Sequence, residues 1–511
     1  MDTHNRFTRF GPRSKEAVVI VAALLVSSLL LVFAYNAYPV PAGDSMFFLV
    51  PTVQFAKYGN LTSPILPESY WVANVTDPSG VVKFLFYPPL FQLVLSFLMP
   101  TASPGGVLLA VSFINIAVVL LSALLFYKFV ARKGNPTWLD ICTVVVAIFA
   151  LVASLAETGR PEVLARLWIT LGALVPFYVS KKYDWIFYGV LLGLVFGTHV
   201  AAGVLFTLVL GLLLGITFPL GKIVLRGAAI LFIAFFVALG AIAFGPFGIQ
   251  ETVEGTLVNA VMAIHTAREG AGPLTFQSLL NHYVFSQTAP FYLFVVLALF
   301  VSGFFFFSKY RKHVASPAIT WLSAVTIGYV MGKIVYTVGH VYYITLFAPI
   351  VLSVILLFFL ETGSIGKGSI IVILALVVAG FLRTAFLFPS FIKQDQGLDK
   401  ARARIAEVVL PYKNKDVRIG IGGGSGGGAW YFVDDYKNMY PYSVPEKPKE
   451  KTAIIFLQQR YSGMLTPPEI PECVVMDDLF SRDVPRMFGI RIGNTMPGYG
   501  YAIYNCLEND G

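Results

Sequence analysis

The sequence predicts an all-α polytopic membrane protein of about eleven transmembrane helices, with a small extracytoplasmic α/β domain at its C-terminal end. Three observations predict it. Of 511 residues, 57% are hydrophobic and only 13% are charged, against about 25% charged in an ordinary soluble chain. The mean hydropathy is +0.74. Apolar stretches of membrane-crossing length recur through the first 389 residues, and the composition changes beyond residue 390. Disordered chains, collagen-like fibres, coiled coils and typical cytosolic enzymes are excluded. Three cysteines, Cys142, Cys473 and Cys506, are too few for a disulfide scaffold, and no tetrad has zinc-ligand spacing.

A lipid-crossing helix needs about 20 mostly apolar residues. The expected spans are 17–35, 105–127, 139–156, 163–180, 184–198, 200–217, 223–244, 289–307, 316–336, 341–360 and 368–389. The first is read as a retained anchor: its apolar run reaches Tyr35, too long for a signal peptide, and no A-x-A site closes it. The apolar segment 88–99 opens with Pro88-Pro89 and is short, so it is read as interfacial. That choice fixes the orientation of every later loop, and charge tests it. With 88–99 outside the span count, one side holds Arg6, Arg9, Arg13, Lys15, Lys128, Arg132, Lys133, Lys181, Lys182, Lys222, Arg226, Lys309, Arg311, Lys312 and Lys367, 15 cations. The other side, before the tail, holds Lys57, Lys83, Arg160, Arg166, Arg268, Lys333 and Arg383, 7 cations over more residues. The positive-inside rule then places the N-terminus in the cytoplasm and the C-terminus outside.

The tail, 390–511, holds 15 Lys and Arg and 15 Asp and Glu, so the membrane part carries the whole net charge of +9. A helix is expected over Leu398 to Val409, and strands at Val417–Ile421, Thr452–Leu457, Val474–Met476 and Tyr501–Tyr504. Cys473 and Cys506 either pair in an oxidising compartment or remain two thiols. The run Gly420 to Gly428 contains a GxGxxG register, but so many glycines match any such pattern, and a loop is the simpler reading.

Polar groups gather on the outer side. The first outer loop, Asn36 to Tyr87, is long enough to be functional. It carries Gly43-Asp44-Ser45, an apolar run from Met46 to Tyr58, and the sequons at Asn60 and Asn74, and it closes on Phe86-Tyr87-Pro88-Pro89-Leu90. The second is Glu157-Thr158-Gly159-Arg160-Pro161-Glu162, and the third, 246–288, holds Glu251, Glu254, His265, Arg268, Glu269 and His282. His199 breaks an apolar stretch; Lys333, Tyr336, His340 and Arg383 lie near outer ends. The span centres carry no Asp, Glu, Lys or Arg, which speaks against an ion-coupled transporter. Each feature also has a plain structural reading. Asp44 can cap a helix, Pro88 and Pro161 can open one, and Glu162 can complement a helix dipole. His199 can be a satisfied bundle histidine, and Lys333 and Arg383 can snorkel to headgroups. Together, one carboxylate at a membrane-edge helix start and several cations on the same face suit an anionic lipid substrate and a deprotonation step.

This arrangement resembles the GT-C membrane glycosyltransferases, in particular glycosyltransferase family 39, the protein O-mannosyltransferase and aminoarabinose-transferase-like group. The residues that carry the resemblance are Gly43-Asp44 and the helix to Gly59, Tyr87-Pro88-Pro89-Leu90, and Arg160-Pro161-Glu162. It covers about 1–390 by architecture and about the first 170 residues by motif, which implies a catalytic membrane domain 1–389 followed by the extracytoplasmic domain 390–511. The resemblance implies transfer of a sugar from a polyprenyl-phosphate donor to a glycan, lipid or protein acceptor outside the cytoplasm, with inversion. Asp44 matches the family's general base. Tyr87 and Pro88 match the segment beside the donor phosphate, and Arg160 and Glu162, with Glu157 in the same loop, match a region lining the site. The chain departs from the family where Ser45 replaces a second acidic residue and Tyr87 stands in place of His or Lys. The phosphate-binding cation is therefore sought among Lys83, Arg160, Lys333, His340 and Arg383, with His199 as a further polar site residue. No cofactor, metal or nucleic acid is implied. The alternative reading is a lipid or glycan transporter that binds the same headgroup without chemistry.

Overall fold

The computed structural model describes residues 12–35, 44–63, 82–85, 87–131, 136–155 and 159–258, and in the tail 407, 418–422, 439–442, 454–459, 473–479, 486–487, 490–491 and 501–505; of residues 44–47 it describes the backbone alone. The described part of 1–389 is almost wholly helical. Up to residue 243 nine helices follow in order, α1 Pro12–Tyr35, α2 Asp44–Tyr58, α3 Leu90–Leu98, α4 Pro104–Ala131, α5 Trp138–Leu155, α6 Glu162–Tyr178, α7 Asp184–Thr198, α8 Val200–Thr217 and α9 Leu220–Ala243, and a further helical stretch covers 249–258. Three of them, over Ser14–Val32, Pro104–Ala131 and Leu220–Ala243, are long and apolar enough to cross a membrane, and α5, α7 and α8 are shorter apolar helices. The chain is a multi-pass membrane protein. At nine residues, α3 rises only about 13 Å, less than a bilayer core of about 30 Å. The four expected spans from 289–307 to 368–389 lie outside the described residues.

Helix α4 is the centre of the bundle. Its 28 residues are apolar on every side, the pattern of a core or membrane-spanning helix; most are buried, and Phe113, Leu120 and Leu124 form an exposed face. Val118, Val119, Ala123, Phe126 and Val130 join a core with α1 and α5. Leu125 and Phe129 join a second core with α6, α7, α8 and α9. Helices α7 and α9 cross closely. Gly189, Gly193 and Gly197 form one stripe along α7, and a Cβ added at Gly193 would stand 2.6 Å from Val237 Cβ and 2.7 Å from the Ala234 carbonyl oxygen. Small residues at this spacing let two backbones approach in lipid, where packing drives association.

Helix α5 starts with a reciprocal cap: the Thr137 N–H donates to Asp140 Oδ2 at 2.7 Å, and the Asp140 N–H donates to Thr137 Oγ1 at 3.2 Å. At the same end of the bundle, Lys15 donates to the Pro136 carbonyl at 2.6 Å and Tyr127 to Glu16 at 2.9 Å. Lys128 lies over the Tyr178 ring at 5.1 Å, and Arg226 pairs with Asp184 at 2.8 Å. This end therefore collects Lys15, Lys128, Lys181, Lys182, Lys222 and Arg226.

In the tail a five-stranded mixed sheet runs in the order β4-β3-β5-β9-β6. Its strands are β3 Arg418–Gly422, β4 Met439–Tyr442, β5 Ile454–Gln459, β6 Val474–Leu479 and β9 Tyr501–Asn505; two-residue strands β7 Arg486–Met487 and β8 Ile490–Arg491 pair with each other, and β1 Thr62–Ser63 and β2 Val82–Lys83 pair in the first loop. Four strands fall where the sequence placed them. β4 went unforeseen because Pro441 sits inside it, and its edge position is where a sheet tolerates proline. Cys473 is disulfide-bonded and Cys142 is a free thiol. Cys506, most of the expected helix 398–409 and the glycine run beyond Gly422 lie outside the described residues.

Candidate functional site

The site is built at the end of the bundle away from the basic cluster, where α2, α6 and α8 begin. Helix α2 starts at Asp44 and ends on Gly59, whose φ of +73° suits a left-handed helix cap. The β1–β2 pair (Thr62 with Lys83, Ser63 with Val82) folds the far end of the loop back onto α2. That return lays Phe84 and Tyr87 against Phe48, edge-on, at 6.0 and 5.0 Å between ring centroids. Position 44 lies one turn before Phe48 on the same face of α2.

Helix α6 supplies the charged groups. Gly159, at φ +96°, makes the turn that no L side chain enters cheaply, and Pro161 opens the helix in αR geometry. The turn folds Arg160 back onto the first helical residue. Its Nη2 donates to Glu162 Oε1 at 2.9 Å, and its Nε donates to Oε1 and Oε2 at 3.2 and 3.3 Å. The same guanidinium lies 5.7 Å from the centroid of the Phe48 ring. Glu162 is 2% exposed, so its charge is held inside the protein by Arg160 and the helix start.

On its other side Glu162 meets His199. This residue separates α7 from α8 with extended backbone, φ −158° and ψ 112°. Its Nδ1 accepts the Ala202 N–H at 3.2 Å, which leaves the ring proton on Nε2. Nε2 stands 3.6 Å from Glu162 Oε1. The Tyr87 ring covers the imidazole at 4.9 Å. Next to it, Trp168 Nε1 donates to Thr198 Oγ1 at 3.3 Å, tying α6 to the end of α7. His199 is thus both a helix cap and a neighbour of the buried carboxylate.

Four of the expected site residues, Tyr87, Arg160, Glu162 and His199, therefore meet around Phe48. Pro88 is buried beside Tyr87, and Gly245 at the end of α9 closes on Pro89. Lys83 is engaged elsewhere: it pairs with Glu251 at 2.7 Å and lies over Phe247 at 5.6 Å, so the helical stretch 249–258 clasps the segment leading to α3. The side chain of Asp44, and Glu157, Lys333, His340 and Arg383, lie outside the described residues. Sequence reasoning counted Arg166 as an outer-side cation and not as a site residue; it is 2% exposed and stands one turn after Glu162 on the same face of α6. The signal was an arginine four residues from a glutamate in an otherwise apolar helix. Among the described residues no group of His, Cys, Asp and Glu has the makings of a metal site.

No protein-family model and no curated protein matches the chain. Among solved structures it is similar to the Archaeoglobus fulgidus oligosaccharyltransferase tethered by a disulfide bond to an acceptor peptide containing the NVT sequon, with TM-score 0.45 and 11% identity over 86% of this chain and 61% of that one. It is also similar to the archaeal oligosaccharyltransferase AglB of Archaeoglobus fulgidus in complex with an inhibitory peptide and a dolichol-phosphate, with TM-score 0.44 and 12% identity over 85% of this chain and 61% of that one. The chain thus spans 61% of the length of each of these proteins.

Proposed function

We propose that the protein is an integral-membrane glycosyltransferase of GT-C architecture. It moves a sugar from a polyprenyl-phosphate donor to an acceptor on the extracytoplasmic face, with inversion. The observation that carries the reading is the convergence of four separate chain segments on one end of the bundle. Phe48, one turn after Asp44, meets Tyr87 and Arg160 there, and these in turn meet His199 and Glu162. The opposite end holds the basic residues that the positive-inside rule assigns to the cytoplasm. The disulfide at Cys473 supports an extracytoplasmic tail.

The chemistry follows from the groups. The polyprenyl phosphate leaves as an anion, so the donor needs no strong acid; it needs cations placed where charge builds. Asp44 takes the proton of the acceptor hydroxyl as the hydroxyl oxygen attacks the anomeric carbon from the face opposite the phosphate. The bond to the phosphate oxygen breaks, and the configuration inverts. Arg160, partly exposed and braced by Glu162 and Phe48, is the candidate cation among the described residues of this cluster; Lys83, if released from Glu251, and Lys333, His340 and Arg383 are further candidates. Tyr87 and Pro88 wall the donor headgroup.

The test is Asp44→Asn in the full chain reconstituted in lipid, with radiolabelled polyprenyl-phosphate sugars as donors. The variant should insert and melt as the wild type does, while transfer falls to background. Full transfer by the variant would remove Asp44 from the mechanism. Movement of labelled lipid across the vesicle without a new glycosidic bond would replace the reading with transport.

A further inference from the structure

We propose that His199 is a positioning residue for Arg160 and acts through Glu162. This deepens the glycosyltransferase reading and rests on it for its purpose, though not for its geometry. The ring is held by a hydrogen bond at Nδ1 and faces a carboxylate at Nε2. Nδ1 accepts the N–H of Ala202, the third residue of α8, at 3.2 Å. Nε2 then stands 3.6 Å from Glu162 Oε1, an electrostatic contact longer than a hydrogen bond. Tyr87 covers the ring at 4.9 Å, which limits its rotation. Glu162 uses the same Oε1 for Arg160 Nη2, and both carboxylate oxygens for Nε. His199 and Glu162 are 1% and 2% exposed, so water does not compete for either. A helix break 39 residues along the chain from Arg160 thereby sets the plane of the carboxylate, and the carboxylate sets the plane of the guanidinium over Phe48.

The arrangement separates two duties that a bland capping histidine would not. An asparagine at position 199 keeps the cap, because its side-chain oxygen reaches the N3 amide, but its amide nitrogen is too short to face Glu162. A glutamine places its amide nitrogen where Nε2 was and is the poorer cap. His199→Asn should melt like the wild type and lose its hold on Arg160. His199→Gln should melt lower and keep it.

The first readout needs no substrate. In the full chain in lipid nanodiscs, with nitrogen-15 in histidine and arginine, His199 should show a protonated Nε2 and an unprotonated Nδ1. The Arg160 Nε–H should exchange slowly in the wild type and in His199→Gln, and fast in His199→Asn. A proton on Nδ1, or slow Arg160 exchange in His199→Asn, would overturn the proposal. The second readout is binding of a polyprenyl monophosphate. His199→Asn should weaken it severalfold, and His199→Gln should restore it. Equal binding by wild type and His199→Asn also overturns the proposal. A wild type that binds no polyprenyl phosphate sinks the donor reading instead, and the exchange measurement still decides the role of His199.

Discussion

Replacing Glu162 by Gln tests the centre of the site most directly. The substitution is nearly isosteric, so packing is kept and one charge is removed. Removing one partner of a buried ion pair costs about 3–5 kcal/mol, because the other charge is left uncompensated. Here the cost is smaller for two reasons visible in the geometry. Glutamine keeps one oxygen to accept from Arg160, and the Arg160 side chain is 12% exposed, so water can solvate part of the charge. A loss of about 2 kcal/mol is expected. The change should be read in a double-mutant cycle with Arg160→Gln, unfolding the protein in mixed micelles. Three donor contacts of 2.9, 3.2 and 3.3 Å tie the pair, so the two losses should fail to add by 1 kcal/mol or more, within the range of about 0.5–3 kcal/mol seen for contacting residues. Additivity within about 0.5 kcal/mol would mean that the two side chains do not form the pair, and the positioning of Arg160 would fall with it.

Two further outcomes are expected. Gly193→Ala should lower stability by about 1–3 kcal/mol by overpacking the α7–α9 crossing, whereas Gly211→Ala in α8, where an added Cβ meets nothing within 4 Å, should be neutral or slightly stabilising; thermal midpoints in detergent compare them, and equal shifts would refute the close crossing. Glu251→Gln should cost less than about 1 kcal/mol, since Lys83 and Glu251 are 26% and 38% exposed, and by releasing Lys83 it should leave polyprenyl-monophosphate binding equal or tighter; a marked loss would show that the clasp itself builds the site.

Much of the helical architecture was legible because lipid-facing and core-facing surfaces are both apolar, so a span reads as a long run with polar punctuation at its ends. The runs at 105–127, 139–156 and 163–180 became α4, α5 and α6 with ends shifted by a few residues. The break at His199 was legible for the same reason: one polar residue in an apolar stretch became the junction of α7 and α8. What was not legible is what long separation joins. Lys83 and Glu251 are 168 residues apart, and no local pattern says that the cation is already engaged. Arg166 looked like an outer-end cation because sequence gives position along a helix but not the depth of burial, which depends on the helices packed around it.

The site shows why such residues cluster at one end. Its polar groups come from helix starts and from a helix break, where the backbone itself has unpaired N–H groups to offer. Glu162 stands at the start of α6 and His199 at the start of α8. A carboxylate and an acceptor nitrogen are both stabilised there, without a separate scaffold for each. The span centres have no such compensation and stay free of charge in the sequence. A chemistry that needs a base and a braced cation beside an anionic lipid headgroup is therefore best supported at the rim of this bundle, and a pathway through its middle is not.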